Sequence, residues 1–118
     1  MIKSIGVDIC KNSRLNEKII NKILTDEEII KYNSFNSSER KNTYLAGRFA
    51  IKEALIKAFS KVDMVFSFRD FTILNDEFGR PFLKNDYSSL FRVHLTLSHE
   101  EDYSVGFVVI ESLNEKIK

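Results

Sequence analysis

The segment that decides the fold is ERKNTYLAGRFAIKEALIKAF, residues 39–59. It is rich in good helix formers, lacks proline and has Gly47 as its only glycine, so it predicts one long α-helix capped by residues 36–38. At about 100° per residue, its apolar side chains fall on several sides of the helix. Since such a helix must be largely buried, the rest of the chain is expected to pack around it.

The segments before this helix predict a strand and two shorter helices. Residues 2–9 alternate apolar side chains with small or polar ones, as a half-buried strand does. A first short helix is expected from residue 12 or 13 to about residue 24. A second is opened by the capping box at 25–28 and runs to about residue 33.

The second half of the chain is mostly extended. Strands are predicted at residues 66–74, 81–84, 93–98 and 103–111, with a turn at 75–81 between the first two. The last strand is apolar enough on both faces to lie inside a sheet. We therefore predict one α+β domain over residues 1–118, in which an N-terminal strand and helices, including one long buried helix, pack on an antiparallel sheet. Residues 113–118 are expected to form a frayed tail.

Composition narrows the class of protein. The 118 residues are 43% hydrophobic and 30% charged, as in an ordinary soluble globular domain. A formal net charge of +1 gives no indication of a nucleic-acid partner. No apolar run is long enough for a signal peptide or a membrane span. Cys10 is the only cysteine, so no internal disulfide is possible and a reducing cytoplasm is expected.

Four charged side chains on the long helix need partners, because charges on a mostly buried helix are costly alone. They are Arg48, Lys52, Glu53 and Lys57. An i,i+4 pair between Glu53 and Lys57 is one interpretation, but it leaves Arg48 and Lys52 unexplained. The other is a single ligand, with Asp8 and Glu53 on magnesium and the basic residues on polyanionic phosphate. For Asp8 alone, the alternative role is to end its strand and cap the next turn.

Two further groups of polar residues are candidate binding sites. Ser98 and His99 close a predicted strand, where they are either surface residues or hydrogen-bond donors to a phosphate. A basic stripe follows the first predicted helix, at Lys11, Arg14, Lys18 and Lys22. It is either a solvated face or a docking surface for an acidic helical protein. No catalytic triad and no zinc cluster is indicated.

Several motifs together resemble the holo-[acyl-carrier-protein] synthase family. They are GVDI at residues 6–9, LAGRFAIKEALIKAF at 45–59, the turn GRP at 79–81 and LSH at 97–99. The first motif alone is weak, but the set at these separations is specific. The similarity runs in order over residues 2–111, which is nearly the whole chain.

The resemblance implies a fold, an activity and partners. The fold is that of the 4′-phosphopantetheinyl transferases, assembled as a homotrimer with coenzyme A between adjacent subunits. The activity is magnesium-dependent transfer of 4′-phosphopantetheine from coenzyme A to a serine of apo-acyl carrier protein, for fatty acid and lipid biosynthesis. Adenosine 3′,5′-bisphosphate is the other product. No nucleic acid or membrane partner is implied.

The resemblance also implies roles for particular residues. Asp8 and Glu53 match the family's magnesium ligands and, with Lys57, are expected to be catalytic. Positions near the coenzyme A phosphates match Arg48, Lys52, Lys57 and His99, to which we add Ser98. Arg14 matches a basic position that docks the carrier protein, and the rest of the basic stripe extends that surface. The general base stays open, with a metal-polarised water relayed through Glu53 or Asp8 as one route.

The sequence departs from the family at one loop, and two rival functions stay open. Residues 60–64 lack the glycine that many family members have after the long helix, which puts ligand contacts from this loop in doubt. A non-catalytic binding module would use the basic stripe to hold an acidic protein or RNA and would not need magnesium. A magnesium-dependent phosphohydrolase would use the same carboxylates to activate water and would need no carrier protein.

Overall fold

A long helix and a three-stranded sheet form the body of the chain, in a computed structural model that describes residues 1–13, 15–84 and 90–113. The elements in chain order are β1 (Ile2–Lys11), α1 (Ile20–Ile23), α2 (Asp26–Ser34), α3 (Ser38–Ser60), β2 (Ile73–Asn75), β3 (Pro81–Leu83), β4 (Phe91–His99) and β5 (Tyr103–Ser112). Short 3-10 turns at Glu17–Ile19 and Phe68–Asp70 precede α1 and β2. Of the predicted tail, residues 114–118 lie outside the described residues.

The main sheet is antiparallel, with the strand order β1-β5-β4. The central place of β5 confirms the prediction made from its two apolar faces. β2 and β3 form a separate antiparallel hairpin around the predicted turn. α3 lies across one face of the main sheet, so the predicted α+β architecture with one long buried helix is confirmed.

Two predicted elements begin later than expected, and in each case short-range polar contacts explain the difference. β1 runs on to Lys11 and the helical segment begins only at Glu17, with Asn16 as its N-cap. The strand predicted at 66–74 starts at Ile73 instead. Ser67 and Asp70 close a capping box, in which the backbone N–H of Ser67 donates to Asp70 Oδ2 at 2.8 Å, and this turns the chain before the strand.

Small side chains on β1 let α3 approach the sheet closely. A Cβ atom on Gly6 would lie 2.2 Å from the carbonyl oxygen of Ala54, so only glycine fits at this crossing. Beside it, Ser4 Oγ donates to the carbonyl of Ala58 at 2.8 Å. The predicted alternation along β1 is confirmed, with the small side chains on the buried face. Its apolar face therefore points away from the helix.

The core lies between α3 and the strands. Its fully buried members include Ile51, Leu55, Phe59, Val108 and Ile110. Phe59 makes ring contacts with Phe66, Phe71 and Phe91, at centroid distances of 5.0 to 6.4 Å. Truncating a buried Phe of this kind to Ala typically costs about 3–5 kcal/mol. Within the described residues, even α3 lacks the apolar length that crossing a bilayer requires.

Candidate active site

Arg48 is a buried cation without an anionic partner among the described residues. It is 3% exposed. Its Nη2 donates to Asn75 Oδ1 at 2.6 Å, and its guanidinium lies 4.6 Å from the Tyr44 ring centroid. Its buried Nε has no hydrogen-bond partner within the part of the chain that the structure describes. Because a buried charge left alone is costly, this arrangement points to an anionic ligand.

Arg48 faces a cavity of about 320 Å³ beside the N-terminal half of α3. We call it the arginine cavity. Its lining residues are Phe35, Glu39, Arg40, Thr43, Tyr44, Arg48, Asn75, Gly79, Pro81, Leu97 and His99. Arg40 lies over the Phe35 ring at 4.5 Å, and Phe35 contacts the Tyr44 ring at 5.5 Å. Two guanidinium groups are thus held on adjacent aromatic rings along one wall.

Two ionisable residues that line the cavity have shifted pKa values. Burial raises the pKa of Tyr44 to about 12, although Arg48 opposes that shift, so the phenol stays neutral. Burial, with a smaller effect from Arg48, lowers the pKa of His99. His99 comes close to α3 because Gly47 lies beneath it, and a Cβ there would be 2.8 Å from the imidazole Cε1. The sequence motifs contain this glycine, but they did not reveal its role.

A second cluster joins β1 to the middle of α3. Lys57 Nζ donates to Asp8 Oδ1 at 2.9 Å, and Glu53 lies one helical turn before Lys57. The hydrogen bond from Lys57 to Asp8, with further attraction from Glu53, raises the pKa of Lys57. The predicted Glu53–Lys57 pairing is therefore replaced by a three-member group in which the lysine bonds to Asp8. The three predicted catalytic residues are thereby near one another.

The fit of this cluster to magnesium follows from its donors. Mg²⁺ takes hard oxygens, and its sites usually combine one or two carboxylates with phosphate oxygens and water. Asp8 and Glu53 supply that number. No group of three or more His, Cys, Asp or Glu suited to a metal occurs within the described residues. Phosphate oxygens and water would complete the coordination sphere around the two carboxylates.

The phosphate-binding role predicted for Lys52 has to be corrected. Its side chain is fully buried, and its Nζ donates to Glu28 Oε1 at 2.5 Å and to the carbonyl of Ile23 at 2.6 Å. Burial lowers the pKa of Lys52, while Glu28 opposes that shift. A buried ammonium with two protein partners is not available to a phosphate, so Lys52 leaves the phosphate-binding set. Glu28, whose capping box was visible in the sequence, is its unrecognised partner.

Ser98 is separated from His99 by the alternation of β4. Leu97 and His99 line the arginine cavity and Ser98 does not, because successive side chains of a strand point to opposite faces. Ser98 instead joins the exposed side of the strand. The structure therefore gives no contact between Ser98 and the proposed phosphate site.

The basic stripe is only partly described. Arg14 lies outside the described residues. Lys18 and Lys22 are exposed, on the 3-10 turn and α1. Lys11 is exposed at the end of β1 and is not part of the helix on which it was predicted. The docking role of all four residues stays a prediction.

Comparison with known proteins places the chain in a family. The model of the 4′-phosphopantetheinyl transferase superfamily matches residues 4–108. Holo-[acyl-carrier-protein] synthase of Acholeplasma laidlawii is 40% identical over 95% of this chain and 98% of its own. That of Anoxybacillus flavithermus is 43% identical over 97% and 99%, respectively.

A solved structure agrees with these relatives. The crystal structure of a holo-(acyl-carrier-protein) synthase from Bacillus anthracis in complex with CoA (3′,5′-ADP) superposes with a TM-score of 0.82. It is 37% identical and covers 95% of this chain and 98% of its own. The chain therefore belongs to the 4′-phosphopantetheinyl transferase superfamily and, within it, to the holo-[acyl-carrier-protein] synthase family that its motifs resemble.

Proposed function

We propose that the chain transfers the 4′-phosphopantetheine group of coenzyme A to a serine of apo-acyl carrier protein. The observation that carries this proposal is Arg48, a buried guanidinium with an unbonded Nε on the wall of an open cavity. The relative from Bacillus anthracis holds CoA (3′,5′-ADP) in its crystal structure. A nucleotide with several phosphates supplies the anion that Arg48 lacks.

The arginine cavity has the size and chemistry for the nucleotide end of coenzyme A. Its volume of about 320 Å³ lies within the range of small-ligand sites. Arg40 and Arg48 offer planar forks that match phosphate oxygens, and the rings beneath them restrict their rotation. His99 faces the same space. We assign the two arginines to the nucleotide phosphates, and His99 to a hydroxyl or amino group of the same nucleotide.

The diphosphate is assigned to the cluster of Asp8, Glu53 and Lys57. Lys57 stays charged because its pKa is raised, so it is ready to stabilise a phosphate oxygen. Asp8 and Glu53 are the residues that would hold Mg²⁺, which supplies charge neutralisation on the diphosphate when bound. Their attachment to β1 and α3, which pack tightly at Gly6, keeps the two carboxylates in register.

The reaction then requires an in-line displacement. The carrier serine Oγ forms a bond to the phosphorus that bears pantetheine, and the bond from that phosphorus to the bridging oxygen breaks. Adenosine 3′,5′-bisphosphate leaves with the electron pair, and the serine proton passes to a base. Asp8 or Glu53 would accept that proton, either directly or through a water molecule.

An exposed apolar sheet face supports assembly as a homotrimer. Ile5, Val7 and Ile9 of β1 are 50%, 55% and 56% exposed, and Phe107, which pairs with Val7, is 38% exposed. Side by side on one face of a sheet, such residues form a patch that a soluble monomer rarely leaves open. Asp8 lies on the same strand but faces α3, so the patch borders the site across β1.

The exposed charges and the single cysteine support a protein partner and a cellular compartment. The exposed lysines of the basic stripe, Lys11, Lys18 and Lys22, suit an acidic carrier protein, whose approach they would steer. The single buried Cys10 suits a reducing cytoplasm. Because its product would be holo-acyl carrier protein, we assign the reaction to fatty acid and lipid biosynthesis.

Release of adenosine 3′,5′-bisphosphate tests the proposed function. The protein is incubated with coenzyme A and magnesium, with or without apo-acyl carrier protein, and the nucleotides are separated by chromatography. We expect release only when the carrier is present. Release without carrier would indicate the phosphohydrolase instead, and no release under any condition would leave the binding module.

A further inference from the structure

A line of hydrogen bonds leads from the β4–β5 turn to His99. Asn12 Nδ2 donates to the carbonyls of Glu100 and Glu101, both at 3.1 Å. Ser104 Oγ donates to Asn12 Oδ1 at 2.7 Å and lies 2.7 Å from His99 Nδ1. Ser104 is fully buried and Asn12 is 8% exposed, so water does not compete for these bonds.

The two carbonyls fix the direction of every bond in this line. A carbonyl oxygen only accepts, so the amide nitrogen of Asn12 must face the turn and its Oδ1 must face Ser104. That oxygen also only accepts, and therefore it takes the single hydrogen of the Ser104 hydroxyl. Ser104 is left with lone pairs toward His99. The hydrogen between them must then belong to His99 Nδ1.

We propose that Asn12 and Ser104 are positioning residues that hold His99 in its Nδ1–H form and leave Nε2 as an acceptor for a hydroxyl or amino group of a ligand in the arginine cavity. Nε2 makes no hydrogen bond within residues 1–13, 15–84 and 90–113. Without this line, the ring would be free to flip or to change tautomer, and its contact with the nucleotide would weaken. The assignment of that ligand rests on the proposed function, whereas the tautomer does not.

The second histidine is an internal reference with the opposite tautomer. His94 Nε2 lies 3.0 Å from Glu111 Oε1, and a carboxylate only accepts, so the hydrogen of neutral His94 is on Nε2. The chain has two histidines. A long-range proton–nitrogen correlation spectrum of the 15N-labelled protein therefore separates the two forms directly. It is recorded about two pH units above the ordinary histidine pKa of about 6.5, to favour the neutral forms.

The variants are Ser104→Ala and Asn12→Ala, with Ser4→Ala as the matched control. Ser104→Ala removes the acceptor for Nδ1–H, and Asn12→Ala frees the Ser104 hydroxyl to donate to Nδ1 instead. Ser4, on β1 of the same sheet, also has a buried hydroxyl, which donates to the carbonyl of Ala58 on α3 at 2.8 Å, so Ser4→Ala reproduces a purely structural loss.

In the wild-type spectrum we expect His99 to be protonated at Nδ1 and unprotonated at Nε2, with the reverse for His94. Asn12→Ala and Ser104→Ala shift His99 toward the Nε2–H form and raise KM for coenzyme A about three- to tenfold at nearly unchanged kcat, the size of one neutral hydrogen bond. Ser4→Ala changes neither. An Nε2–H signal for wild-type His99 overturns the proposal, as do variants that match Ser4→Ala in KM. Absence of transfer in the wild type, with the expected tautomer present, counts against the proposed function only.

Discussion

Lys52→Met tests whether the buried lysine is structural. Lys52 Nζ is fully buried between Glu28 Oε1 and the carbonyl of Ile23. Removing the ammonium leaves the Glu28 carboxylate in the core, where the backbone N–H groups of Thr25 and Ile73 still donate to it at 2.9 Å. Breaking one side of a buried pair typically costs about 3–5 kcal/mol, a large part of the about 5–15 kcal/mol that holds a domain.

The assay is urea unfolding at one fixed protein concentration, paired with KM for coenzyme A on the folded variant. We expect the free energy of unfolding to fall by about 3–5 kcal/mol and KM to stay within about twofold. Adding Glu28→Gln to Lys52→Met removes the stranded charge, and so recovers part of the loss. A stability change below about 1 kcal/mol with a tenfold higher KM would refute the reasoning and return Lys52 to the phosphate site.

Four further outcomes follow from the site and the sheet. Arg48→Gln should raise KM for coenzyme A by about 10–100-fold in steady-state assays, since it deletes the charged hydrogen bonds to the ligand; the urea midpoint should change little, because losing the bond to Asn75 is offset by removing an unpaired buried charge, and an unchanged KM contradicts this. Asp8→Asn and Glu53→Gln should each lower kcat by at least about 100-fold and weaken the dependence on magnesium, measured by metal titration; full activity in either would remove that residue from the metal site. Because the pKa of His99 is lowered, the folded state binds fewer protons than the unfolded one, so its contribution to stability is complete above about pH 6.5 and is lost as pH falls toward the folded pKa; a His99→Gln variant with the same pH profile of unfolding would argue against it. Val7→Lys should convert a trimer to smaller species in light scattering, and a wild-type monomer would contradict the trimer itself.

The parts of the fold that sequence reasoning found are those set by long periodic patterns. The helix predicted at 39–59 is α3, Ser38–Ser60. Its apolar residues lie on several sides, so the helix has to be buried. The last strand, β5, is predicted to lie inside the sheet because both of its faces are apolar. The strand predicted at 66–74 is wrong because the capping box of Ser67 and Asp70 outweighs a short extended pattern. Such local hydrogen bonds leave little trace in periodicity.

The sequence predicted which residues form the site better than it predicted which of their side chains pair with one another. The motifs identified Asp8, Glu53 and Lys57, whose mutual proximity the structure supports. They treated Arg48 and Lys52 alike, although they are one helical turn apart. What separates the two is Glu28, which belongs to another helix and meets Lys52 only in the folded core. Contacts of that range are decided by tertiary packing, which one sequence does not display.

The most direct test of the central claim is the intact mass of apo-acyl carrier protein after incubation with this protein, coenzyme A and magnesium. A carrier whose acceptor serine is replaced by alanine is the matched control. We expect the carrier to gain the mass of one phosphopantetheine group, the alanine carrier to gain none, and the Asp8→Asn enzyme to give little product. A folded wild-type protein that leaves the carrier mass unchanged would rule out the transferase activity.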